Sequence, residues 1–154
     1  MILPKGVTGF LVWDCGEPIP PGVDPKLFKA TCHAAAQATH AQIVSIDTTP
    51  HPSRNFHVAH LQFPSRVLWI MCNARFPFIA FSADRPGYYG HPFIDMPLLA
   101  TVFMQTHAFE VLPSRVLEAP PTPEALIHLA PVEQQYARSW KARRIGDIIF
   151  NHWD

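Results

Sequence analysis

The chain has 154 residues, and Lys and Arg balance Asp and Glu to a formal net charge of zero, with charged residues at 16%. A chain of this length buries about two-thirds of its unfolded surface and matches one domain. One compact domain over residues 1–154 is therefore expected. The missing basic excess argues against a nucleic-acid partner, because phosphate binding needs cations in surplus. No apolar run approaches the ~18 residues of a membrane helix, so no membrane partner is expected either.

Charge well below the usual ~25% leaves uncharged surface, which favours a protein partner or self-association. Met1-Ile2-Leu3-Pro4-Lys5-Gly6 lacks the charged and apolar regions of a signal peptide, so a cytoplasmic location is expected. Cys15, Cys32 and Cys72 are an odd number at wide spacing and read as buried reduced thiols. Seventeen Pro, twice the usual ~5% share, are spread between apolar runs and mark short elements joined by stiff loops.

Residues 7–13 are short, apolar and rich in strand formers; they read as a buried strand ending at Asp14-Cys15-Gly16. Asp24-Pro25 starts a helix over residues 25–39, Asp as N-cap and Pro at the first position. Its inward stripe is Leu27, Phe28, Thr31, Ala34, Ala35 and Ala38. Four candidate strands follow, at residues 42–47, 56–63, 66–72 and 76–82. Asn73-Ala74-Arg75 joins the last two as an antiparallel pair. The strand at 66–72 is almost wholly apolar and should be central, covered on both faces.

Residues 94–105 fit helix or strand; Pro97 in a first turn favours helix. Residues 109–117 read as a strand pair or a strand bent at Pro113. Thr122-Pro123-Glu124 opens a short helix to about Leu129, and Pro131 opens another to about Trp140. Lys141, Arg143 and Arg144 then complement that helix's C-terminal dipole. The final stretch, Ile-rich with Phe150 and Trp153, reads as packed, as a last strand or edge strap that closes the chain as a complete unit. The fold class is α+β: a mostly antiparallel β-sheet with an N-terminal helix and C-terminal helices packed on it.

The chemistry-bearing residues form no known catalytic pattern. Nine His are spread along the chain without H-E-x-x-H. His57 and His60 fall on opposite faces of a strand, and His33 and His40 are ~10 Å apart along a helix. Neither pair chelates one ion, so no metal and no cofactor is expected. The one metal grouping worth testing is His57 or His60 with His91 and Asp95. Nucleophile elbows and phosphate-cradling glycine loops are absent. Cys72 lies in the most apolar strand, where burial blunts a thiol. Asp84 and Asp95 flank one loop and read as loop and cap carboxylates. Pro-Ser-Arg recurs at residues 52–54, 64–66 and 113–115; it reads as turn chemistry, with an anion site at Arg54, Arg66 and Arg115 as the alternative.

The strongest candidate surface is the loop around residues 84–93, which carries Arg85, Tyr88, Tyr89, His91 and Phe93 between two Gly and two Pro. Tyr and Arg are enriched at interface hot spots, and Pro lowers the entropy lost on docking. The bland alternative is a loop folded onto the core by its aromatics. A second possible surface is Gln134, Gln135, Tyr136, Arg138, Ser139 and Trp140 on the late helix; Tyr136 and Trp140, four apart, favour a core stripe over a docking stripe.

The leading functional expectation is a non-catalytic protein-binding domain. A bacterial immunity protein that neutralises a toxin is one concrete form. The alternatives are a small hydrolase-like or metal-dependent enzyme at the 84–95 loop, with His57 or His60 as base and Arg85 as anion clamp, and a homodimeric accessory subunit.

Overall fold

The computed structural model describes residues 1–10, 13–14, 16–87 and 90–153. The fold is α+β. Among the described residues six strands form one sheet: β1 (Gln42–Asp47), β2 (Phe56–Gln62), β3 (Val67–Asn73), β4 (Phe78–Ser82), β5 (Phe93–Ile94) and β6 (Glu110–Val111). The order β1-β2-β3-β4-β5 is antiparallel throughout, and β6 adds a short parallel pairing to β4. Strands β1 to β4 lie within two residues of their expected bounds. The β2–β3 turn closes by a bond from Phe63 N to Arg66 O (2.8 Å), and Pro77, lacking an N–H, stays outside the ladder.

The two sheet faces carry different layers. On one lie α1 (Pro25–Ala38) and α2 (Pro97–Gln105), packed on Ala59 and Leu61 of β2, Leu68, Ile70 and Cys72 of β3, and Ile79 and Phe81 of β4. Asp24 caps α1 by accepting from Lys26 N at 2.9 Å, as its sequence implies. The buried stripe of α1 is Phe28, Thr31, Cys32, Ala35 and Ala36; Leu27, Ala34 and Ala38 face outward. The stripe sits one step round the helix from the expected one, because Phe28 and Cys32 point at the sheet.

On the other face lie α3 (Ser114–Leu117), α4 (Pro131–Ser139), α5 (Ile145–Ile149) and the N-terminal residues, packed on Phe56, Met71, Phe78, Ala80 and Phe93. Strand β3 contributes to both clusters, which accounts for its nearly continuous apolar run.

Four expectations change on this second face. Residues 5–9 form turns, not a strand; Leu11 and Val12 of that run, like Cys15, lie outside the described residues. The backbone N–H groups of Gly6 and Thr8 donate to the Glu133 carboxylate, which replaces a ladder, and Gly6 takes a φ of +91°. Residues 109–117 give only the two-residue β6 before α3. Asp95 accepts from Ser114 N at 2.8 Å and so starts a helix at the point where Pro113 interrupts pairing.

Residues 123–129 make turns without a helix. The carbonyl of Ala125, which a helix would use internally, accepts from Leu3 N at 2.8 Å. The final stretch is helical at α5, not a strand. Asp147 reaches back to accept from Arg143 N and Arg144 N at 3.2 and 3.0 Å, and those are helix-starting contacts.

Candidate functional site

A cleft of about 890 Å³ opens between the Gly90–His91 segment and the C-terminal elements, lined by Trp140, Lys141, Arg143, Arg144, Asp147, Phe150, Asn151 and Trp153 among others. Each wall has a local cause. Helix α4 ends in a Schellman turn: Ala142 N donates to Ala137 O at 2.9 Å, Lys141 N donates to Arg138 O at 3.0 Å, and Lys141 sits at φ +53°. That turn sets Trp140 and Lys141 at the cleft. The segment then enters α5, which carries Asp147 and leads to Phe150, Asn151 and Trp153.

Arg144 ties the cleft together. Its guanidinium donates to Asp147 Oδ1 at 2.6 and 3.1 Å, to both Glu118 oxygens at 3.0 and 3.1 Å, and to the His91 carbonyl at 3.0 Å. It also stands 4.9 Å from the centre of the Phe93 ring. Glu118 in turn accepts from Phe93 N at 3.1 Å. The cation is fully engaged, as are the two carboxylates facing it.

Three asparagines hold the layer beneath. Asn55 and Asn73 each donate to the carbonyls of Val7 and Ile149. Asn151 donates through Nδ2 to Thr8 O and Ile148 O, both at 3.0 Å. Those two bonds orient the amide, and its Oδ1 is left buried without a hydrogen bond.

His91 is the other open group. It is 5% exposed, and both ring nitrogens lie buried without a hydrogen-bond partner. Its ring packs edge-on against Phe93 at 4.9 Å. Burial, helped by the Arg144 charge, pushes its pKa down to about 4, so the imidazole is neutral near pH 7. A neutral imidazole carries one donor and one acceptor, and here both are closed off from the cleft.

The other candidates are dispersed. Arg85 is exposed and outside the cleft lining; Phe93 is buried in the core beneath Gly146. Tyr88 and Tyr89 lie outside the described residues. His57 faces α1 and packs near Phe28, and burial lowers its pKa. His60 stacks on Trp69 on the opposite face, with ring centres 4.4 Å apart. Neither lines the cleft, so the grouping of His57 or His60 with His91 and Arg85 is not assembled. Asp95 is bonded to Ser114, and among the described residues no three His, Cys, Asp or Glu are placed to hold a metal ion. Arg54 pairs with Asp47 at one end of β2, and Arg66 sits past its other end, so no three-arginine anion site forms.

Of the candidate surface residues, His91 from the loop and Ser139 and Trp140 from the late helix line this cleft, although Trp140 is favoured by its spacing as a core residue and Lys141, Arg143 and Arg144 by theirs as partners of a helix dipole. The available signal was three cations within four residues beside Trp140 and shortly before Trp153. No family model matches the chain, and neither a curated protein nor a solved structure matches it significantly.

Proposed function

We propose that this chain is a non-catalytic protein-binding domain, of the kind represented by a bacterial immunity protein that neutralises a toxin, and that the cleft at His91 lies on its docking face. The observation that carries this reading is the cleft lined by Trp140, Lys141 and Arg143, beside which His91 is buried with both ring nitrogens unpartnered. It supports binding over catalysis for a physical reason. A general base near pH 7 needs a matched pKa and a hydrogen-bonded orienting partner. His91 has neither, and the neighbouring Asp147 and Glu118 carboxylates are held by Arg144. Arg85 is exposed and lies outside the cleft lining, so its part in docking is tested separately.

A cytoplasmic setting goes with this reading. Cys32 and Cys72 are free and buried, and burial raises both thiol pKa values, which suits inert reduced side chains. No helix among the described residues is long and apolar enough to cross a membrane.

The test is co-purification of the tagged chain from its native host, scored by mass spectrometry. One stoichiometric protein partner, lost on Arg85→Ala or Lys141→Gln with an unchanged circular-dichroism spectrum, is expected. Absence of any stoichiometric partner would overturn the reading. One observation favours self-association as a second reading: Leu98 and Met104 on α2 are 73% and 51% exposed, and the helix carries no charge. A chain that sediments as a monomer at high concentration removes it.

A further inference from the structure

Deepening the self-association reading above, and independent of the docking reading of the cleft, we propose that α2 pairs with α2 of a second copy of this chain, antiparallel about a two-fold axis at Thr101.

The sequence of α2 sets the face. Over Pro97–Gln105, Leu99 and Phe103 turn inward and are fully buried, while Pro97, Leu98, Thr101, Met104 and Gln105 stay exposed. At about 100° per residue those five fall on one arc of about 120°, with Thr101 at its centre. A helix packed on its own core normally turns a polar face to water. Here Leu98 is 73% exposed and Met104 51%. Among the described residues, α2 alone of the helices has no charged side chain.

Charge and symmetry both select a second copy as the occupant. A two-fold axis sets a face against itself, so a charge at the axis meets its own sign. A face without charge is spared that repulsion, whereas recognition of a foreign protein gains from complementary charge. Leu98 and Met104 stand three residues either side of Thr101, about 4.5 Å along the helix in each direction. The antiparallel axis therefore brings Leu98 of each copy level with Met104 of the other. Thr101 at the crossing is short, and its hydroxyl already donates to Pro97 O at 2.9 Å. Two helices can close on it without leaving a polar group unpaired. Because α2 packs on the sheet face opposite the C-terminal elements, both clefts stay open in the pair. A nine-residue helix, about 13 Å long, offers far less than the ~800 Å² per partner of a permanent dimer. The pairing is accordingly weak, with a Kd on the order of 0.1 mM.

The experiment is sedimentation equilibrium of the full chain from about 10 μM to about 1 mM, where a monomer–dimer equilibrium is expected. Leu98→Glu and Met104→Lys, each alone, should weaken dimerisation at least about ten-fold with an unchanged circular-dichroism spectrum, because each buries a lone charge in an apolar contact. Combined in one chain they should restore it. The antiparallel axis sets each new carboxylate beside the new ammonium of the other copy, and six residues apart on one helix the two do not pair within a copy. Weakening by the single variants with no recovery in the double variant overturns the antiparallel pairing. Dimerisation unchanged by either single variant overturns the proposal and keeps the self-association reading. A chain that stays monomeric to about 1 mM overturns both. Binding of that monomer to phosphatidylcholine vesicles would then assign the face to a lipid surface.

Discussion

The two faces of the sheet are built on different principles. The face under α1 and α2 is a dry apolar interface of Phe28, Ile70, Ile79, Phe81, Leu99 and Phe103. Burial of this kind is non-directional and scales with area, so side chains of similar volume substitute for one another at modest cost. The face under α4 and α5 has an apolar centre too, but it is stitched by directional bonds between distant segments. Glu133, 0% exposed, accepts from Gly6, Thr8 and Ala130; three asparagines bind Val7, Thr8, Ile148 and Ile149; Arg144 joins three segments. One face supplies bulk stability. The other holds irregular backbone in place and thereby shapes a cleft.

The sharpest way to break this contrast is at Glu133. Glu133→Ala leaves the N–H groups of Gly6, Thr8 and Ala130 and the Thr8 hydroxyl without their acceptor, at a cost of about 3–5 kcal/mol. Glu133→Gln should lose much of the same, because its amide turns a donor toward donors. Leu99→Met on the opposite face, conserving volume, should cost less than about 1.5 kcal/mol. Urea unfolding measures all three, and equal losses on the two faces would end the distinction.

Acid sensitivity should also belong mainly to the cleft face. His91 is ordinarily protonated near 6.5 but only at about 4 when folded. Between those values the unfolded chain binds the proton and the folded chain does not, so stability falls as pH falls from about 6.5 to about 4 and levels off below. The full effect is roughly 3 kcal/mol. His91→Phe should flatten the stability profile in that window. His57, on the other face, has the same sign of shift and should leave a residual slope. Asp47 and Asp95 are held below the usual carboxylate range, by the Thr49 N–H and Arg54 and by Ser114 respectively. They withdraw their stabilisation at still lower pH.

A smaller effect is expected at Gly146, whose missing side chain lets α5 press on the Phe93 ring. Gly146→Ala would drive a methyl into that ring and should cost about 1–3 kcal/mol by thermal unfolding. Smallest and opposite in sign is Lys141→Gly. Glycine relieves the left-handed backbone at φ +53°, so stability should rise by about 1 kcal/mol. If Lys141 also serves binding, the same variant should weaken capture of the protein partner. A gain in stability with unchanged capture would make this lysine purely structural.

How much of this was legible follows the same division. Helix α1 announced itself by Asp24-Pro25, and β1 to β4 by apolar runs set off by turn residues. Pro97 correctly pointed to α2. These signals are local, because capping and periodicity act over a few residues. The failures cluster on the other face. Residues 5–9, 123–129 and 145–149 were read by local texture, but their backbone partners are Glu133, Leu3 and Asp147. Only for Asp147 is the partner near in sequence. The cleft is half legible: His91 and Trp140 stand out as members of two separate candidate surfaces, whereas Lys141, Arg143 and Asn151 do not, since nothing in spacing says that residue 91 meets residues 140–153.

The sequence alone determined the α+β class, the existence of β1 to β4, the antiparallel pairing of β3 with β4 and the first helix, because hydrophobic period and capping are short-range properties of the chain. Tertiary structure alone decided that Glu133 would organise the N-terminal turns and that the last residues would form a helix beside His91. It also decided that the His91 ring and the Asn151 side chain would be buried with unpartnered polar atoms beside the cleft. Directional bonds between residues as distant as Gly6 and Glu133 depend on where the folded backbone brings donors and acceptors, and one-dimensional pattern carries no record of that placement.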